Sequence, residues 1–195
     1  METYPKGLQL KNGEKIIVRL FKEDDIENLM LFFQSLPLED RMYLRTDVTN
    51  RKNILRRFGK LNYDLIYPLI ALHEERIIAI ASLYRAEFGW MRNLGEIRIV
   101  VARDFQRKGL CTLLTKEIFF HALTTDLYKI QAEMTEDQVG AINAFEHLGF
   151  KKETVLRKHV TDIHGKRTNL VIMSLDIQEM WYLMEDFIRG QFYVT

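Results

Sequence analysis

The chain has 195 residues and a mass of 23.2 kDa, enough for one sizeable core and short for two. Hydrophobic residues make up 47% and charged residues 28%, with 3 prolines and 10 glycines, which excludes a disordered, collagen-like or linker-dominated chain. Its 28 Lys and Arg are nearly balanced by 27 Asp and Glu, for a formal net charge of +1, so no global field gathers nucleic-acid or membrane phosphates. The single cysteine, Cys111, has no internal disulfide partner, and no Cys/His cluster has zinc-binding spacing, so no metal is expected. The N-terminus lacks the apolar stretch of a signal peptide, and no apolar run approaches the ~18 residues of a membrane span. A soluble, cytoplasmic protein follows as the expectation, with neither nucleic acid nor membrane as partner.

Residues 15–21 (KIIVRLF) form a short run rich in β-branched side chains after Asn12-Gly13, a strand entered from a turn. Asp24 or Asp25 then caps a helix whose Ile26, Leu29, Phe32 and Phe33 recur at helical spacing, and Pro37 ends it. Two more short helical pieces follow, PLEDRMYLR and RKNILRRFGKL. The second carries Arg51, Lys52, Arg56, Arg57 and Lys60 with no acid among them. The runs IYPLIALH and RIIAIASLY, joined by Glu74-Glu75, predict a hairpin, and residues 96–102 (EIRIVVA) predict a third strand of this group. The polar segment RDFQRKG leads into a helix with Leu110, Leu113, Leu114, Ile118 and Ala122 on one stripe. A strand over 128–134, a helix over 138–147 and two strands over 153–161 and 169–175 complete the pattern. After Asp176, Met180, Met184 and Phe187 recur at helical spacing up to Gly190, predicting a closing helix that packs on the core or on a partner.

The segment VARDFQRKGLCT stands where a strand ends and a helix begins. First-turn N–H groups are unpaired and sit at the positive end of the helix dipole, so phosphate binds there readily. Gly109 lets a phosphate approach, while Arg103, Arg107 and Lys108 add charge. It is neither a Walker loop, since Leu110 and Cys111 follow Gly109, nor a dinucleotide fingerprint. A solvated basic turn before an ordinary helix is the other reading.

EIRIVVARDFQRKGLCTLL resembles motif A of the GNAT superfamily of acyl-CoA-dependent N-acetyltransferases, with Gln106, Gly109 and Cys111 at the patterned positions. AINAFEHLGF resembles the family's motif B, KIIVRLFKEDDIENLMLFF its opening strand and helix, and the segments ending in NLVIMSL its last strands. The resemblance covers about residues 15–176 in order. It implies one α/β domain over 1–195 with an added C-terminal helix over 177–195: a mixed, mostly antiparallel, twisted sheet, splayed in its middle and flanked by helices, with acetyl-CoA as cosubstrate in the gap. Residue by residue, it implies that the backbone of Ile99, Val100 and Val101 pairs with the pantetheine arm. The amides of Gln106, Arg107, Lys108, Gly109, Leu110, Cys111 and Thr112 would cradle the pyrophosphate.

Glu96 matches a carboxylate that several members carry as general base. With a period of two it shares a face with Arg98 and Val100 unless a bulge intervenes, and pairing with Arg98 is the plainer reading. The sequence departs from the family twice. Phe145 stands where a tyrosine usually protonates the leaving thiolate, and Gln138 stands for an asparagine; Tyr128, Tyr84 and His147 are the candidate substitutes. Cys111, at a helix start, is a small buried side chain or a thiol of lowered pKa on a covalent acyl route. The remaining histidines share no ligand spacing.

The acceptor site is expected over about 28–60 and 86–94, with a primary amine, a protein lysine or N-terminus or a small molecule, as acceptor. Two rivals stand beside the enzyme, a non-catalytic acyl-CoA-binding module and a nucleic-acid binder using the basic helix. A homodimer is left open.

Overall fold

The structure, a computed structural model, describes residues 4–162 and 164–182; Met184, Phe187 and Gly190 of the expected closing helix lie outside them. Eight strands form one sheet, in the order β1-β2-β3-β4-β5-β6-β8-β7. These are β1 Lys6–Gln9, β2 Lys15–Leu20, β3 Ile66–His73, β4 Arg76–Arg85, β5 Leu94–Val101, β6 Lys129–Thr135, β7 Lys151–Thr161 and β8 Arg167–Asp176. Only β5 and β6 run parallel; every other neighbouring pair is antiparallel. The sheet is the wide, mostly antiparallel and mixed one that the sequence led us to expect.

One strand was not foreseen. Lys6–Gln9 pairs with Lys15–Leu20, and the turn between them closes through Gly13 N–H donating to Leu10 O at 2.9 Å. Asn12-Gly13 is thus the turn of a hairpin, and Gly13 takes φ +88°, which costs a glycine little. KGLQ is too short and mixed to register as a strand by periodicity; its partner makes it one. The β3–β4 hairpin pairs His73 with Arg76 across Glu74 and Glu75, both at positive φ (47° and 67°). That is the backbone of a tight primed turn without its usual Asn-Gly.

Central strands β3 and β4 are buried in continuous runs, from Pro68 to Ala71 and from Ile77 to Leu83, because both sheet faces are covered. On one face lie α1 (Ile26–Ser35) and α3 (Arg51–Phe58), with the short α2 (Leu38–Arg41) between them. Helix α1 buries Ile26, Leu29, Met30, Phe32 and Phe33. Its entry is fixed by Asp25, which accepts two 2.7 Å bonds from the Arg19 guanidinium. Helix α3 buries Ile54 and Phe58, with the Phe58 ring 5.2 Å from that of Phe21. Such an aromatic pair contributes about 0.5–1.5 kcal/mol beyond its buried area.

On the other face α4 (Leu110–Ala122) buries Leu110, Leu114, Ile118 and Ala122, four of the five stripe residues, while Leu113 is half-buried. Its Glu117 accepts from Tyr4 Oη (2.9 Å) and Lys6 Nζ (2.7 Å), tying the N-terminal strand to the helix. Helix α5 (Val139–His147) buries Ile142 and Phe145. No helix among the described residues is long and apolar enough to cross a membrane.

Candidate active site

Strands β5 and β6 begin as neighbours and part almost at once. Their pairing holds for Leu94↔Lys129, Gly95↔Ile130 and Glu96↔Gln131; beyond that β5 stays in register with β4 as far as Val101, and β6 with β8 as far as Thr135. The backbone edges of β5 over 97–101 and of β6 over 132–135 that face each other therefore have no strand partner among the described residues. An extended ligand can enter this gap as an added strand. Ile99, Val100 and Val101 line it, and Gln106 Nε2 donates to Val101 O at 3.3 Å.

At the end of β5 the chain makes a single 3₁₀ turn over Arg103–Phe105. It passes Arg107 at φ +61° and reaches Gly109 at φ +87°, the N-cap of α4. Glycine has no side chain to cap the helix, so the first-turn amides of Leu110, Cys111 and Thr112 are presented to whatever fills the turn. A Cβ on Gly109 would also lie 3.1 Å from the Lys11 side chain. This cradle of outward amides fits a pyrophosphate.

The charge beside the cradle is smaller than the sequence suggests. Arg103 makes a bidentate pair with Asp40 at 2.9 and 3.0 Å, and Lys108 is held by both oxygens of Glu14 at 3.0 Å. Arg107 alone of the three has no acidic partner among the described residues. Of the two readings of Cys111 the surroundings favour the small buried side chain: burial pushes its thiol pKa up, against a smaller lowering by the Thr115 hydroxyl. The helix start does not make it a ready nucleophile.

Glu96 stands where the two strands part. No bulge interrupts β4–β5 pairing, so Tyr84, opposite Glu96, and Arg98 share its face. The Arg98 guanidinium donates to Glu96 Oε1 at 2.8 Å and to Oε2 at 3.2 Å and lies 4.7 Å over the Tyr84 ring; Arg57 lies 5.6 Å over the same ring. Arg45 Nη2 approaches Glu96 Oε1 at 3.0 Å and also donates to Glu133 Oε2. Glu133 accepts a further 2.9 Å bond from Gln131. One guanidinium thus bridges the two strands where they separate.

Arg45 and Glu133 were not singled out from the sequence. The alternation KIQAEMT puts Gln131 and Glu133 on one face of β6, and the parallel register brings that face to Glu96, so Glu133 had a signal. Arg45 had none, since it sits in the irregular stretch between α2 and α3. The same stretch is anchored by the Tyr43 hydroxyl, which donates to Asp137 Oδ2 at 2.7 Å. That carboxylate pushes the Tyr43 pKa up to about 12.

The two departures from the family pattern take these places. Gln138 Oε1 accepts from the Thr135 amide at 3.0 Å and its hydroxyl at 3.2 Å, closing the turn into α5. Phe145 is buried and meets Phe150 edge-on at 4.8 Å. Of the candidate substitutes, Tyr84 lies beneath Arg98 and Arg57, Tyr128 is half exposed, and His147 Nδ1 lies 2.6 Å from Asn143 O. The basic helix is an ordinary amphipathic one, with Arg51 paired to Glu27 and Arg57 over Tyr84.

A family model described as the acetyltransferase (GNAT) family matches residues 29–150, well over half the chain. The chain belongs to the GNAT acetyltransferase family. As a member it is an acetyltransferase, and acetyl transfer to amines is the family's general reaction. Solved structures share the fold at low identity. The GNAT domain of S. lividans PAT superposes with a TM-score of 0.73 at 20% identity, covering 88% of this chain and 96% of that one. The ribosomal-protein-S5-alanine acetyltransferase from Vibrio fischeri gives 0.70 at 18%, covering 88% and 96%. A spermidine N-acetyltransferase chimera from Vibrio cholerae and hSSAT gives 0.69 at 17%, covering 84% and 96%. No curated protein sequence matches.

Proposed function

We propose that this GNAT protein transfers the acetyl group of acetyl-CoA to a primary amine by direct attack in a ternary complex, with Glu96 as the base. The observation that carries the reading is the single path along β5: a carboxylate where the strands part, an unpaired backbone edge beyond it, and an amide cradle at Gly109. Ile99, Val100 and Val101 would align the pantetheine arm, and the amides of 106–112 the pyrophosphate. A lysine-like amine costs about 4.6 kcal/mol to deprotonate at pH 7. Glu96, directly or through a water, takes that proton; its Oε2, holding only the 3.2 Å bond, keeps lone pairs for it. The amine nitrogen then bonds to the acetyl carbon while the carbon–sulfur bond breaks. Phe145 offers no proton to the departing thiolate, which is tolerable because a thiol pKa near ~8.5 makes it a fair leaving group. The acceptors in the printed names of the Vibrio structures, a ribosomal-protein alanine and spermidine, are both amines and support that class.

Phe145 also favours a second reading, a non-catalytic acyl-CoA-binding module. Calorimetric titration with acetyl-CoA, CoA and ATP, followed by thiol release with amines and peptides, separates the two. Micromolar binding of both CoA species but not ATP is expected, with turnover. Glu96→Gln should keep that binding and lower kcat about 10²- to 10⁴-fold; unchanged turnover removes the base role, and binding without turnover by any amine favours the module.

A further inference from the structure

The Arg45 guanidinium lies across the mouth of the gap, on the two carboxylates that flank it. Count the charges that touch there: Glu96 and Glu133 bring two negatives, Arg98 and Arg45 two positives. Glu96 keeps Arg98 and Glu133 keeps Gln131 whether or not Arg45 is present. If Arg45 swings away, the site carries one uncompensated negative charge, which a single incoming cation restores. Arg57 lies over the Tyr84 ring beside this group, and Asp137 is held by the Tyr43 hydroxyl.

Arg45 is also free to move. Its side chain is 47% exposed, against 24% for Glu96 and 22% for Glu133, and its backbone is held on both sides, by Tyr43 on Asp137 and by buried Val48. A rotamer change opens the site without unfolding the segment, and an exposed ion pair of this kind is weak enough to be exchanged.

We propose that Arg45 occupies the seat of the acceptor's ammonium group between Glu96 and Glu133, and that the acceptor binds as a cation by displacing it. Arg45 is then a specificity-determining residue. It sets acceptor affinity by competition and turns away neutral nucleophiles, which cannot replace its charge. This rests on the acetyltransferase reading, because only there must an amine reach Glu96. An ammonium so placed delivers its proton to Glu96 with its nitrogen already beside the gap.

The test is made on the full chain, with n-butylammonium as probe, its neutral counterpart 1-butanol as control, and dissociation constants read by ligand-observed NMR. Arg45→Gln should bind n-butylammonium about threefold to tenfold more tightly than the unaltered protein, with no gain for 1-butanol. Arg45→Lys, which keeps the competing cation, should bind like the unaltered protein, and Arg45→Gln/Glu133→Gln should lose the gain. With any amine that is turned over, the gain should appear as a lower KM rather than a higher kcat. A purely structural tie would give unchanged or weaker binding in Arg45→Gln, which overturns the proposal, as does a gain shared by 1-butanol or kept without Glu133. Failure of acetyl-CoA to bind the unaltered protein would instead sink the proposed ternary-complex mechanism, while the butylammonium series still decides the role of Arg45.

Discussion

At its C-terminal end β5 presents backbone: an αL glycine, a helix start and an edge of peptide groups with no strand partner among the described residues. At its N-terminal end it presents side chains, Glu96 and Arg98 from itself, with Glu133 from β6 and Arg45 from the stretch between α2 and α3 beside them. The first arrangement depends on conformation, and of the three basic residues of its turn only Arg107 keeps an unpaired charge among the described residues, since Arg103 and Lys108 are neutralised by Asp40 and Glu14. The second depends on a balance of four charges that one substitution unsettles. On the proposed reading the same strand would hold a rigid anion site and an exchangeable cation site, and the two should respond to different perturbations.

The largest expected effect separates them. Gly109→Val forces a β-branched side chain to φ +87° and puts methyl groups into the cradle beside Lys11. Left-handed backbone costs a non-glycine residue about 1–2 kcal/mol, and acetyl-CoA affinity should fall more than about tenfold, a loss above ~1.4 kcal/mol. Calorimetry and thermal melting check both, while n-butylammonium binding should stay within about twofold. A variant that lost both ligands alike would break the division. A smaller effect sharpens it. Arg107→Asn removes the cation without an acidic partner while suiting φ +61° better, so stability should hold and acetyl-CoA binding weaken about threefold, with a flatter dependence on salt.

The backbone end was legible in the sequence and the side-chain end only half so. The order strand, basic turn, glycine, helix is local, and the spacing of Gln106, Gly109 and the apolar stripe from Leu110 to Ala122 records it directly. Glu96 was legible for the same reason, and so was its partner Arg98, two residues along one strand face. Glu133 required the β5–β6 register, which no local pattern contains, and Arg45 required the packing of an irregular segment whose side-chain directions follow no period. The extra strand at Lys6–Gln9 was missed because four residues give too little alternation to see. The charge of the turn was overstated, because Asp40 and Glu14 are 63 and 94 residues from the cations they hold.

The smallest expected effect concerns Cys111, where the helix field and burial oppose each other. The field at the start of α4 favours a thiolate, yet burial wins and the thiol pKa is raised. For an acid whose folded pKa lies above its unfolded value, the native state holds its proton longer. The stability this contributes is full below the unfolded pKa near ~8.5 and is lost as pH rises through the folded value. Denaturant midpoints of the protein and of Cys111→Ala should therefore run parallel from pH 6 to 8 and converge above about pH 9. Iodoacetamide should alkylate the native protein at pH 8 much more slowly than the unfolded chain. Rapid native alkylation, suppressed by CoA, would show the amides of the turn acting on the sulfur as well as on the ligand. The anion site would then rest partly on side-chain chemistry, and its contrast with the Glu96 end would narrow.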